Sequence, residues 1–486
     1  MKRDVVGVGH PIIKRKIDAS LNLSVKEGAF AAVSTNLSLS YFAPFALALN
    51  ATAVQMGALY ALISLLPGLA QMKAADLIGR FPRKKIVFNA VLLKIFLLIP
   101  ILSIAFLHWR GVPYMIEVFI LLVGVHYVLT AIAHPAWFSW MGSLVPENRR
   151  GKYFARRNRI VGFFGVVAMI GGALILDGFK KYGTLHGDVI GFTLLGFGAV
   201  FALSGISRFW CLGLLNKEYE PRLKIRKKDR FSFMHFLKNA KKTPFGRFSL
   251  FGGALAFVVG ISTPYWAVYM LRDMGMSYIW YMSITVATIF FQLIFFPLLG
   301  KFSDRFGNIK LMSMSSSIIA VVPFLWIASA LIMNDLWAKI YLLTLPSMIG
   351  GFAWAGYNLA LNNYVYDAVG SRRRGFSLSY MNLLIGFGGF VGAGVGALLA
   401  WADIGLMGNS MLFIFAVSGV GRLIVAFYGS KYLSEVRNVK KFAPQFLIRE
   451  FDPLQGAIRE VHHLEHLVKK VEHYVEVGDK KRFSGK

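Results

Sequence analysis

The sequence predicts an all-α integral membrane protein, with twelve transmembrane helices in two pseudo-symmetric six-helix bundles. Three observations lead there. Hydrophobic residues make up 56% of the 486-residue chain and charged residues only 16%, with a mean hydropathy of +0.56. A water-soluble chain of that length needs more polar surface. Apolar runs of about twenty residues, the length that crosses a bilayer, recur along the chain. Three short polar patterns of the first half return in the same order in the second, which marks a duplicated bundle.

Taken in order, the first six spans lie near residues 26–49, 52–72, 86–107, 113–138, 159–179 and 189–214. The second six lie near 246–271, 277–299, 309–333, 337–366, 376–402 and 409–430. The chain thus divides into an N-terminal segment 1–25, a bundle 26–214, a basic linker 215–245, a bundle 246–432 and a tail 433–486. The fourth and tenth spans are over-long and should project beyond the lipid. Pro221 and Pro244 bracket the linker, where Phe231, Phe233, Met234 and Phe236 suggest a short amphipathic helix on the membrane surface. In the tail, Leu454, Ile458, Val461, Leu464, Val468, Val471 and Val475 recur at steps of three and four, one helical face. Such a helix can lie on the bilayer, pair with a partner or dock on the bundle. His462 and His466, one turn apart with His463, Glu465 and His473 nearby, have metal-binding spacing, although a polar face rich in His is the plainer reading.

The repeats centre on Gly300-Lys-Phe-Ser-Asp304-Arg305-Phe-Gly307-Asn-Ile-Lys310, between the eighth and ninth spans. An exposed acid beside a base can hold helix ends together, and the glycines let backbones pass closely. A plain basic hairpin is the alternative. A degraded twin, Met72-Lys-Ala-Ala-Asp76-Leu-Ile-Gly79-Arg80, follows the second span, with Asp76 answering Asp304 and Gly79 answering Gly307. Val145–Gly151, followed by Asn158, matches Val369–Gly375, followed by Asn382. Ser204-Gly205-Ile-Ser-Arg208 matches Ser418-Gly419-Val-Gly-Arg422.

The formal net charge of +30 is one-sided. All of the 54 lysines and arginines except Lys94, Arg110, Lys180, Lys181, Arg208, Arg272, Lys339 and Arg422 fall near the termini or at links on the same side. The positive-inside rule puts both termini in the cytoplasm, and a cell membrane is the expected location. The runs 224–228 and 372–374 then read as topology determinants that touch anionic lipid heads. Nucleic acid is not an expected partner, since no fold remains to present these bases to a groove. The single cysteine, Cys211, excludes an internal disulfide and any cysteine-rich metal site. Residues 1–24 have no apolar core of signal-peptide length, so the first span itself should target the chain.

The loop at 300–310 resembles the Gly-x-x-x-Asp-Arg-x-Gly-x-x-Lys turn between helices 8 and 9 of the major facilitator superfamily, twelve-helix secondary transporters. The resemblance covers residues 25–432 in architecture and reaches no subfamily. Drug–proton antiporters of that superfamily carry an acid in the first helix and a Gly-Pro pair in the fifth. Here the first span has only Glu27 at its mouth, and the fifth has Gly162, Gly165, Gly171 and Gly172 without proline. Sugar-porter signatures after the sixth and twelfth helices are missing.

The resemblance implies that the first, fourth, seventh and tenth helices line a central cavity. Polar residues on spans avoid lipid and therefore face inward. The expected cavity residues are Asn36, Ser40, Tyr41, His126, Thr130, Tyr265, Trp266, Gln292, Trp354 and Asn358. The same residues could instead be hydrogen bonds that glue the bundle. Arg208 and Arg422 are expected to snorkel to lipid heads at the inner ends of their helices, and Lys94 to do the same. Glu117 and Asp177 lie near the outer surface. No phosphate-cradling loop, Ser/His/Asp grouping or metal cluster stands out, so neither ATP, a cofactor nor catalysis is expected.

The expected protein is therefore a monomeric transporter moving a small organic solute by alternating access. The loops holding Asp76, Gly79 and Arg80, and Gly300, Asp304, Arg305 and Gly307, would latch the outward-facing state. His126 is the protonatable candidate for a coupling proton. The alternative is a lipid scramblase or sensor that keeps the fold and signals through its tail.

Overall fold

The computed structural model describes residues 11–146, 150–221, 232–370 and 373–440, with only the backbone described at 11–14, 75–76 and 150–152. The basic run 224–228, Phe231, Arg372, the side chain of Asp76 and the His-containing tail helix lie outside the described residues. Residues 1–438 form one compact unit and 439–486 another.

Among the described residues, twelve helices are long and apolar enough to cross a membrane. The first half comprises α1 (Pro11–Leu39), α2 (Phe42–Ala48), α3 (Ala53–Arg80), α4 (Arg83–Trp109), α5 (Met115–Leu144), α6 (Arg150–His186) and α7 (Val189–Lys217). A short α8 (Phe233–Asn239) precedes α9 (Pro244–Ser262), α10 (Tyr265–Val268), α11 (Tyr278–Phe306) and α12 (Asn308–Ser329). The chain continues as α13 (Asp335–Ala368), α14 (Arg374–Ala402) and α15 (Ser410–Ile424). No strand occurs among the described residues.

Local chemistry sets the boundaries. Thr52 and Gln55 form a reciprocal capping box at α3. Asp188, Thr243, Asn334 and Asn409 accept backbone N–H bonds at the starts of α7, α9, α13 and α15. The first and seventh spans break at matching places. Pro44 and Pro264 offer no N–H to the preceding turn, so α1 stops before Ser40 and α9 before Thr263. At 30 and 34 residues, α5 and α13 overrun the span length as expected, and α6 is longer still at 37.

The halves meet chiefly where α14 packs against α3 and where α6 packs against α11. Helix α14 also lies along α9, and its glycines allow both approaches. A Cβ on Gly386 would stand 2.5 Å from the Ser64 carbonyl, and one on Gly392 2.0 Å from that of Phe257. Large apolar side chains such as Phe96, Leu121, Phe163, Phe209, Leu293 and Leu398 stay exposed on the outer faces, where hydrocarbon would cover them. The short α8 turns Phe236 inward, onto Phe245 and Tyr380, so it packs on the second half.

On the side of the bundle where α7 and α15 end, the two halves repeat a polar clasp. Glu220, just past α7, accepts the backbone N–H of Arg83 at 2.8 Å, and Glu435, past α15, accepts that of Ile309 at 3.0 Å. Arg83 is 1% exposed and also donates to the Ser143 hydroxyl. In the second half, Asn308 donates to Asp367 at 2.6 Å and Arg437 pairs with the same carboxylate.

Candidate functional site

The breaks in the first and seventh spans set hydroxyl groups opposite an arginine in each half. Ser34 on α1 and Ser204 on α7 share a hydrogen bond of 3.1 Å, and Arg208 Nε donates to Ser34 Oγ at 3.0 Å. Ser262 on α9 and Ser418 on α15 bond at 3.0 Å, and Arg422 donates to both. Arg208 and Arg422 are 6% and 2% exposed, and Lys94 is 6% exposed. The expected snorkelling is thus corrected: all three cations are buried in the bundle, and neighbouring helices offer oxygens to the two guanidinium groups. Among the described residues none has a carboxylate within ion-pair distance. An unpaired charge in such a place is costly.

Arg422 opens onto a cavity of about 290 Å³ in the second half. Its walls come from α9 to α13 and α15, and include Thr263, Trp266, Thr288, Trp326, Ser347 and Trp354. The Trp266 and Trp326 rings stand 4.7 Å apart, and Phe415 stacks behind Trp266 at 4.0 Å. Of the expected cavity residues, Trp266 and Trp354 line this space.

The others lie elsewhere. Asn36 and Thr130 donate to the carbonyls of Ala32 and His126, one turn back on their own helices. Tyr41 is buried in the first half and donates to the Met169 carbonyl. Tyr265 is buried between Gly57 of α3 and Gly396 of α14. Ser40, Gln292 and Asn358 are half-buried. His126 is buried edge-on to Phe42 at 5.3 Å, and among the described residues its Nδ1 has no partner.

At the expected latch, Asp304 and Arg305 are exposed, and Arg305 lies over the Phe306 ring. Gly307 turns the chain at φ +92°, with the Glu435 carboxylate where a Cβ would sit. Arg80 and Gly79 are exposed, and nothing lies within 4 Å of a Cβ on Gly79 or Gly300. The repeat partner Asn382 bridges the halves by donating to Gln71 at 2.9 Å.

The opposite side of the bundle is sealed differently. The Asp177 carboxylate on α6 accepts the first backbone N–H groups of α11, from Tyr278 at 2.8 Å and Ile279 at 2.9 Å. An apolar cluster there joins both halves, with Phe45, Phe119 and Phe197 from one and Tyr265, Met282 and Phe415 from the other. A cluster on the terminal side, holding Val87, Trp140 and Leu215, draws on the first half.

Sequence reasoning missed Trp326 and the two clasp acids Glu220 and Glu435. The paired Ser…Arg pattern at 204–208 and 418–422 was the available signal for the arginine clusters.

Set against known proteins, the Major Facilitator Superfamily profile matches residues 28–393 and 250–462. No curated protein matches. Among solved structures, the nucleoside transporter NupG is 13% identical with a TM-score of 0.62, covering 85% of this chain and 99% of its own. The xylose transporter XylE from E. coli, partially occluded and inward open, is 13% identical with a TM-score of 0.60, covering 88% and 100%. A bacterial homolog of the human lysosomal transporter Spinster, inward-facing and unoccupied, is 18% identical with a TM-score of 0.58, covering 90% and 100%. At these identities the likeness establishes the fold alone.

Proposed function

This chain belongs to the Major Facilitator Superfamily of transporters, and we propose that it moves a small organic solute across the cell membrane by alternating access. The two halves rock about a site near mid-depth, exposing it to one side and then the other. The observation that carries the reading is the lopsided seal. Asp177 and an apolar cluster drawn from both halves close the end opposite the termini. With the termini cytoplasmic by the positive-inside rule, this conformer faces inward. In the outward-facing state the loops with Asp76 and Asp304 come together, and His126 takes up a coupling proton. The basic cytoplasmic links rest on anionic lipid heads, and one chain suffices as the working unit.

The test is uptake into vesicles by Asp177→Cys with Ser277→Cys, whose cross-link ties the seal shut. Cys211 is buried and stays out of the reaction. Saturable uptake of a solute should stop on cross-linking and return on cleavage of the link. Uptake that persists through a closed link, or no saturable uptake of any solute in a broad panel, would refute alternating access.

A further inference from the structure

We infer that the cavity beside Arg422 is an oxoanion site, and that it takes a small organic carboxylate or phosphate monoester with a flat apolar body. The inference deepens the transporter reading by naming the solute class, and the binding itself stands apart from transport. A guanidinium has five N–H donors in a planar fork. Arg422 uses one at Nε on Ser418, one on the Ile319 carbonyl at 3.3 Å and one on Ser262 at 2.7 Å. One donor remains on each terminal nitrogen, the pair that a carboxylate or phosphate accepts together.

The surroundings favour an anion. Among the described residues the cavity wall has no acid, while Arg422 is buried to 2% exposure. Tryptophan walls can also attract an organic cation, but Arg422 in the same wall repels one. A neutral solute leaves the buried charge uncompensated. Trp266, Trp326 and Trp354 offer ring faces for the body, and Thr263 and Ser347 offer hydroxyls for further polar groups. At about 290 Å³ the space suits a solute of one ring, the low end of the ~300–1,000 Å³ usual for small-molecule sites.

The experiment titrates the purified full chain with benzoate, phenyl phosphate and benzamide and follows tryptophan fluorescence. Benzoate or phenyl phosphate, or both, should quench saturably, at least tenfold more tightly than neutral benzamide, and which of them does so identifies the headgroup. Arg422→Gln should weaken the oxoanion at least tenfold, with Arg422→Lys in between, since a point charge replaces the fork. Benzamide binding as tightly as the tighter of the two oxoanions, no binding of either oxoanion, or unchanged affinity of that oxoanion in Arg422→Gln would overturn the inference. Should both variants fail to fold, the wild-type preference for oxoanion over benzamide decides. Oxoanion binding by a chain that carries no solute would sink the transport reading and leave this site standing. Saturable uptake of a neutral solute, undiminished in Arg422→Gln, would do the reverse.

Discussion

Glu218, directly after α7, should make the bundle less stable as pH rises, and Glu218→Gln should abolish most of that fall. The side chain is 1% exposed, and neither carboxylate oxygen has a hydrogen-bond partner. Burial first, and then the charge of Glu27, push its pKa from 4.5 up to about 9, while Arg157 and Lys84 pull the other way. A carboxyl raised in the folded state keeps its proton after the unfolded chain has released one. Its contribution is therefore complete below pH 4.5 and is lost progressively up to about 9. The slope is about 1.4 kcal/mol per pH unit, or roughly 2.7 kcal/mol between pH 6 and 8. That is an upper bound for a single carboxyl. Denaturant unfolding in detergent micelles at pH 6, 7 and 8 measures it. Wild type should lose stability across the series, and Glu218→Gln should stay nearly level. Equal slopes in the two proteins, or a wild type that gains stability with pH, would refute the reasoning.

Asp304 is exposed here, so Asp304→Asn should leave stability within about 0.5 kcal/mol of wild type. It should nonetheless shift the population inward, as read by cysteine accessibility from each side, and an unchanged ratio removes Asp304 from the mechanism. For His126→Gln, transport in vesicles with and without an imposed pH gradient should lose its response to the gradient. A wild type indifferent to the gradient ends the symport idea, and equal responses move the coupling site to Glu117 or Asp177. Because residues 1–438 form one compact unit, truncation after residue 440 should leave an inserted, monodisperse bundle. Aggregation of the truncated chain would make the tail structural.

The cavity was partly legible. Trp266 and Trp354 were visible because they lie on the seventh and tenth spans, which the family resemblance implies line the cavity. Trp326 was not, since it sits on the ninth span, where only the packing of α12 against α13 turns it inward. Asn36 and Thr130 share a face with their neighbours as the spacing implied, yet each satisfies a carbonyl on its own helix. Periodicity locates a side chain on a face and is silent about whether its donor is already used.

Span length, polarity and the repeat of short patterns are local properties, so the sequence by itself determined the twelve helices, the duplicated halves and the one-sided charge. Burial of Arg208 and Arg422 was decided only by tertiary structure. Along its own helix each arginine stood near enough to an end to reach lipid heads. Ser34 and Ser262, on other helices at the same depth, drew the guanidinium groups inward instead. Which oxygen a buried donor meets depends on neighbours far away in the chain, and one helix's residues do not encode that depth and rotation.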